Sequence, residues 1–145
     1  MIPSFLDDAI GFNIYRVELL FRKEFLHALA EYKITPEQWS IMSILLNNEK
    51  PLKQIDIVQL SLKDKHSVSR IIQRLERDGW IKKIADPHDA RITIIRPTIK
   101  GKSLKKDVPQ KLSSHFSSIL KEFNDDEMES LLNLLKKLRQ IFGDC

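Results

Sequence analysis

Apolar residues recur at helical spacing along most of the chain, and at both ends they outnumber what one buried face requires. Between Phe5 and about Glu31 there is no proline and only one glycine, Gly11, while Phe5, Ile10, Phe12, Tyr15, Leu19, Leu20, Phe25 and Leu29 spread around most of a helical circumference. The pattern predicts a long helix buried on more than one side, for which a subunit interface would serve. Thr35-Pro36-Glu37-Gln38 predicts a helix start, with Thr35 as cap, Pro36 at the first helical position and Gln38 completing a capping box. That helix carries Trp39, Ile41, Met42, Leu45 and Leu46 and should stop at Asn47-Asn48, ahead of Pro51. A shorter helix is expected from about Leu52 to Leu60, with Ile55, Ile57, Val58 and Leu60 turned inward.

The stretch Asp64 to Asp78 has the sharpest division of polar from apolar. Val68, Ile71, Ile72 and Leu75 fall at i, i+3, i+4 and i+7 and form one narrow stripe. The opposite side carries His66, Arg70, Gln73 and Arg77, with Ser69 and Arg74 on its flanks. Asp64 is placed to cap the helix, and Gly79 to end it in a left-handed conformation. Trp80–Ile84 and Arg91–Arg96 then read as two strands joined by the polar Ala85–Ala90. Helix, turn, helix, hairpin is the order of a winged helix-turn-helix, the hairpin being the wing. Thr98 can cap the next helix, which should run from about Lys100 to Phe123 with a kink or break near Asp107 caused by Pro109. Asn124-Asp125-Asp126-Glu127 opens a last helix, whose Leu131, Leu132, Leu134, Leu135, Leu138, Ile141 and Phe142 again exceed one face. The expected fold is mainly α with a small β-hairpin wing: a winged helix-turn-helix over residues 34–101, flanked by N- and C-terminal dimerisation helices in residues 1–33 and 102–145.

Charge sharpens this picture. Between Lys50 and Lys106 the 145-residue chain has fifteen Lys or Arg against six Asp or Glu, a balance of +9, while the remainder stands at −5. A basic middle between acidic ends points to a polyanion held by the middle alone. Arg and Gln side chains pair in bidentate fashion with base edges, and Ser and His reach bases or phosphates, so the polar face of 64–78 is a candidate for reading duplex DNA. By itself such a face is most often merely solvated; the basic setting and the hairpin favour DNA. No stretch of about 18 apolar residues exists to span a membrane, and the N-terminus does not read as a signal peptide. The single cysteine, Cys145, excludes an internal disulfide and a zinc site of paired cysteines, and a reducing cytoplasm is the natural setting.

In their order and spacing, Ile34-Thr35-Pro36-Glu37-Gln38-Trp39, the run Ser67 to Ile81, Asp86-Pro87-His88-Asp89-Ala90-Arg91 and Thr98-Ile99-Lys100-Gly101 resemble the MarR family of bacterial transcriptional regulators. The resemblance covers nearly the whole chain and is best from Ile34 to Gly101. It implies a homodimer joined through the terminal helices, a recognition helix in the major groove and a wing in the minor groove. It implies a transcription regulator, most often a repressor, that reads a pseudo-palindrome with half-sites about 10 bp apart. The DNA contacts would be His66, Ser67, Ser69, Arg70, Gln73, Arg74 and Arg77 on the helix and Asp89 and Arg91 on the wing, where Asp-x-Arg is the family's pattern. A carboxylate two residues from a guanidinium holds it in one orientation, so an ordered Arg enters the minor groove with less entropy to lose. The turn before the helix departs from the family, reading Ser61-Leu62-Lys63 where glycine is common; alignment across it places Lys53 and Gln54 as further contacts.

Many family members bind a small aromatic or phenolic ligand between dimerisation helices and winged domain. Here that region would draw on Phe12, Tyr15, Arg16, Trp39 and Met42, residues that would equally serve as plain packing. The sequence shows no Gly-rich phosphate loop, no His-Glu-x-x-His and no nucleophile elbow, so no catalytic residue, metal or cofactor is assigned. His88 between Asp86 and Asp89 reads as a solvated wing tip, His27 and His115 have no assignable partner, and Cys145, as the last residue, is a poor redox sensor. The rival to a DNA-binding regulator is a winged-helix module that docks other proteins without specific DNA binding.

Overall fold

The computed structural model describes residues 1–144 and falls into two compact units, one from Met1 to Leu112 and one from Ser113 onward. The expectation about Cys145 lies outside the described residues. In the first unit a short helix, α1 (Ser4–Asp7), precedes α2 (Ile10–Leu29), and a single 3-10 turn (Ala30–Tyr32) leads to α3 (Pro36–Asn47), α4 (Gln54–Ser61) and α5 (Lys65–Arg77). The strands β1 (Ile81–Ala85) and β2 (Thr93–Pro97) follow, then α6 (Ile99–Lys102) and α7 (Leu104–Ile119). A 3-10 turn (Leu120–Glu122) and α8 (Asp125–Ile141) complete the chain, and no helix is long and apolar enough to cross a membrane.

The helix boundaries follow local chemistry. Thr35 Oγ1 accepts from the Gln38 N–H at 3.1 Å while Gln38 Oε1 accepts from the Thr35 N–H at 2.9 Å, the reciprocal box that satisfies two otherwise unpaired donors. Asn124 and Glu127 repeat it at the start of α8. α5 ends in a Schellman motif: Gly79, at φ 82°, bonds back to Glu76, and the Trp80 N–H reaches the Leu75 carbonyl at 2.9 Å. The β1–β2 pair is antiparallel, Ile81 facing Pro97 and Ala85 facing Thr93.

The core sits among α3, α4, α5 and the hairpin. Ile41, Met42, Ile57, Val68, Ile72 and Leu75 are fully buried there, and Trp80, Ile81 and Ile95 close it. Burying six such side chains stabilises the domain by roughly 1.5–3 kcal/mol each before chain entropy is counted. Gly101 belongs to this packing, because a Cβ there would run into the Trp80 carbonyl and press on Met42.

Four expectations need correction. The N-terminal helix is interrupted at Asp8-Ala9, where the Asn13 amide donates to the Asp7 and Ala9 carbonyls and ties the break. Leu52 is not helical: it bridges to Ile95, whose N–H donates to the Leu52 carbonyl at 2.8 Å, and the helix begins only at Gln54. On that helix Ile57 is buried but Ile55 and Leu60 face outward, since eight residues offer one narrow inner face. The break after the hairpin falls at Ser103, not Asp107, and α7 continues through Pro109. Proline removes one backbone donor there, in the helix's second turn, without ending the helix.

Candidate nucleic-acid interface

α5 is positioned by both ends. At its start the Asp64 carboxylate accepts from the Ser67 N–H at 2.9 Å and from the Ser67 hydroxyl at 2.7 Å, and these bonds hold Asp64 below the ordinary carboxylate value of 3.8. At its end the Lys100 ammonium lies over the Trp80 ring, 4.1 Å from its centre, and donates to the Asp78 carbonyl at 2.8 Å, so a cation sits where the helix dipole is negative. Asp78 is gripped further: Arg77 Nε donates to Oδ1 at 3.1 Å and the buried Gln38 amide donates to Oδ2 at 3.2 Å. Those two bonds, Arg77's first, lower its pKa. Gln38 thereby joins the start of α3 to the end of α5.

With Val68, Ile71, Ile72 and Leu75 buried, the expected reading face is outward: His66, Arg70, Gln73, Arg74 and Arg77 are exposed, and Ser67 and Ser69 are half-buried. The Ser67 proton is committed to Asp64, so its free capacity is that of an acceptor, suited to a base amino group and not to a phosphate oxygen. Arg77 shares its guanidinium with Asp78, whereas Arg70 and Arg74 form no ion pair among the described residues. A concavity of about 950 Å³ runs along this helix, lined by Arg70, Arg74 and Arg77 together with Arg22, Lys33 and Lys63. Arg22 and Lys33 come from distant segments and carried no sequence signal for a place beside α5, whereas Lys63 lies in the turn just before it.

At the hairpin tip, Asp89 takes both nitrogens of one guanidinium edge. Arg91 Nε donates to Oδ1 and Nη2 to Oδ2, each at 3.0 Å, and the Arg91 N–H adds a bond of 3.1 Å to Oδ1. The pairing lowers the Asp89 pKa and raises that of Arg91, and the nearby charge of Lys53 lowers Asp89 a little further. The Asp86 carboxylate receives the His88 N–H at 2.7 Å, folding the tip into an Asx turn. Lys53 is exposed and Gln54 half-buried at the start of α4.

The five residues expected around a small ligand are not brought together. Met42 is fully buried in the core, and the Arg16 guanidinium lies 5.8 Å from the Phe12 ring centre on the early part of α2, with Tyr15 exposed. Trp39 lines a cavity of about 400 Å³, but its companions there are Phe21, Arg22, Phe25, Glu37, Ser40 and Lys63. The cavity lies against Glu18, Phe21, Arg22 and Phe25, a later part of α2 than the spacing suggested. Partial burial, the largest single influence, pulls Glu37 upward, yet the Arg22 bond at 2.7 Å, a backbone hydrogen bond and the charges of Arg22 and Lys63 together outweigh it, and its pKa falls below 4.5.

A three-helix core that presents one outward polar helix, followed by a hairpin whose tip holds out an oriented arginine, is a winged helix-turn-helix of the DNA-binding regulator class. Residues 32–92 match the model of the MarR family. The chain is 29% identical to the HTH-type transcriptional regulator BilQ of Clostridioides difficile over 134 residues, covering 92% of this chain and 90% of that protein. A probable transcriptional regulator from Pseudomonas aeruginosa has the same fold with a TM-score of 0.81 and 25% identity, covering 92% and 98% of the two chains. The repressor CouR bound to a 23-mer DNA duplex superposes with a TM-score of 0.85 at 22% identity, covering 95% and 97%. CouR from Rhodococcus jostii RHA1 has also been solved with p-coumaroyl-CoA, at a TM-score of 0.77 and 20% identity over 92% and 93% of the chains. Over residues 32–92, and along nearly its whole length to these regulators, the chain is similar to the MarR family of transcriptional regulators.

Proposed function

We propose that this regulator is a homodimeric repressor that holds a pseudo-palindromic operator with α5 in the major groove and the 85–93 hairpin tip in the minor groove of each half-site. The observation that carries the reading is the Asp89–Arg91 clamp, which presents a pre-oriented guanidinium to solvent beside an exposed row of Arg70, Gln73 and Arg74. Arg70 and Gln73 are assigned to base edges, Arg74 and Arg77 to phosphates, His66, Ser67 and Ser69 to the start of the helix's contact, and Arg91 to the minor groove. Residues 34–101 would be the DNA-binding domain, with residues 1–33 and 102–145 forming the subunit interface. In support, α2 exposes Ile10, Ile14, Tyr15 and Leu20, and α8 exposes Leu132, Leu134, Leu135 and Ile141, apolar surface that a monomer gains nothing by leaving wet.

We further assign a small aromatic or phenolic effector to the cavity beside Trp39, where Phe21 and Phe25 offer apolar walls and Arg22 and Lys63 offer charge to an organic anion. An anion there would compete with Glu37 for Arg22, a residue that also lines the concavity along α5. The first test is fluorescence anisotropy with random duplex DNA across a salt series, run beside sedimentation analysis. A log–log slope of magnitude about 5 or more on a dimer is expected. Negligible affinity with a flat slope would remove DNA from the function and leave a protein-docking module.

A further inference from the structure

The start of α3 and the end of α5 are joined by a side chain that local chemistry alone does not select. Gln38 fills the third helical position of the Thr35 capping box, where glutamate serves equally well and adds negative charge at the positive end of the helix. The box that opens α8 does use a glutamate, Glu127, at the same position. Glutamine differs in replacing one carboxylate oxygen with an amide donor, and here that donor is used. Gln38 is 5% exposed, and its Nε2 donates at 3.2 Å to Oδ2 of Asp78, forty residues further on. Its Oε1 is taken by the Thr35 N–H, so both ends of the amide have partners. A buried donor left without an acceptor is costly, so amide and carboxylate select each other.

The other oxygen of that carboxylate holds an arginine. Asp78 Oδ1 accepts from Arg77 Nε at 3.1 Å, and the Arg77 side chain, 71% exposed, forms no other bond among the described residues. Its two terminal nitrogens are left to donate, the pair that grips a phosphate in bidentate fashion. Gln38, Arg77 and Asp78 line the same concavity as Arg70 and Arg74. An exposed ion pair between chain neighbours is ordinarily loose. Here the acceptor is anchored from two other elements, by the Gln38 amide on α3 and by the Lys100 ammonium, which donates to the Asp78 carbonyl at 2.8 Å. The arrangement at the hairpin tip, a carboxylate aiming an exposed guanidinium, thus recurs at the end of α5 with support from the core.

We propose that Gln38 is a positioning residue for DNA: through Asp78 it aims the Arg77 guanidinium at the phosphate backbone. The inference rests on the reading of α5 as the DNA-contacting helix. Gln38 itself touches no DNA; it lowers the rotamer entropy that Arg77 loses on binding. Because a phosphate carries no sequence information, the contribution is the same on operator and on random duplex.

The test is fluorescence anisotropy of the full-length protein on random duplex DNA. The variants are Asp78→Asn, Gln38→Glu and Gln38→Glu/Asp78→Asn, with Asp78→Asn repeated in an Arg77→Gln background and folding checked by circular dichroism. Asp78→Asn removes a negative charge beside the DNA, so charge alone would tighten binding. Positioning requires the opposite sign: asparagine offers one oxygen to two donors, and affinity should fall about twofold to tenfold as Arg77 is released. Gln38→Glu keeps the capping box but sets two carboxylates against each other, and should also weaken binding. The double substitution reverses the bond, keeps the parent's net charge and leaves an oxygen for Arg77, so it should recover the parent's affinity. With Arg77→Gln present, Asp78→Asn should no longer weaken binding, the non-additivity expected of residues acting through one another. Should Gln38→Glu fail to fold, the Asp78→Asn and Arg77→Gln cycle decides alone. Asp78→Asn binding as tightly as the parent, a folded double variant without recovery, or an undiminished loss with Arg77→Gln present would each overturn the proposal. A parent without DNA affinity would overturn the reading of α5 as well, whereas a parent that binds with a steep salt slope and is indifferent to Asp78→Asn would sink only the role given to Gln38.

Discussion

Asp89 holds Arg91 through both carboxylate oxygens at 3.0 Å, while 90% of the Arg91 side chain stays open to solvent. An exposed ion pair of this kind contributes little to stability. Its value lies in orientation: the guanidinium is aimed before any DNA arrives, so less rotamer entropy is lost on binding. Arg91→Ala should therefore weaken operator binding by about tenfold to a hundredfold while leaving the thermal midpoint nearly unchanged. Asp89→Asn should cause a smaller loss, since the guanidinium remains but is no longer held. Anisotropy on a selected operator measures both, and full affinity in Arg91→Ala would take the wing out of the mechanism.

Arg70 and Arg74 sit on the same exposed face but are assigned different partners. Arg70→Ala should cost about tenfold to a hundredfold on the operator and less on random duplex. Arg74→Ala should lower affinity for both DNAs alike and reduce the salt slope by about 1. Equal losses for Arg70→Ala on the two DNAs would demote it to a phosphate contact.

Leu62 ends α4 in the left-handed region, at φ 57° and ψ 18°, with 78% of its surface exposed. A leucine there is strained and has little packing to lose. Leu62→Gly should raise stability by about 1 kcal/mol, read as a shift of the urea midpoint at constant m-value.

Gly101 is the opposite case. A methyl group there meets the Trp80 carbonyl, which is backbone and cannot rotate away. Gly101→Ala should destabilise the domain by about 1–3 kcal/mol, measured by the same denaturation.

Acid should loosen the protein through Asp78 and Glu37, both held below their ordinary values, 3.8 for Asp78 and 4.5 for Glu37. A depressed folded-state pKa gives stability that is present above the unfolded value and lost as pH falls through the folded one. Urea midpoints should be flat from neutrality to about pH 5 and fall below about pH 4. In Gln38→Leu, which removes one of the bonds to Asp78, the fall should be shallower.

Much of this protein was legible in its sequence because the interactions concerned span four residues or fewer. The Thr35–Gln38 and Asn124–Glu127 boxes, the Asp64 cap, the glycine at the end of α5 and the face that α5 buries all follow from neighbours along the chain. So does the Asp89–Arg91 pair, whose partners lie two residues apart. Tertiary structure decided what depends on the meeting of distant segments. It drew Leu52 out of a helix to pair with Ile95, turned Ile55 and Leu60 outward, and set the cavity beside Trp39 against Phe21 and Phe25, not Phe12 and Tyr15. It also sorted the basic middle into cations in different settings: Lys100 is bonded to the end of α5, and Lys82 and Arg96 are register partners across the hairpin. Net charge and periodicity count such residues; only packing brings a partner to one lysine and withholds it from the next.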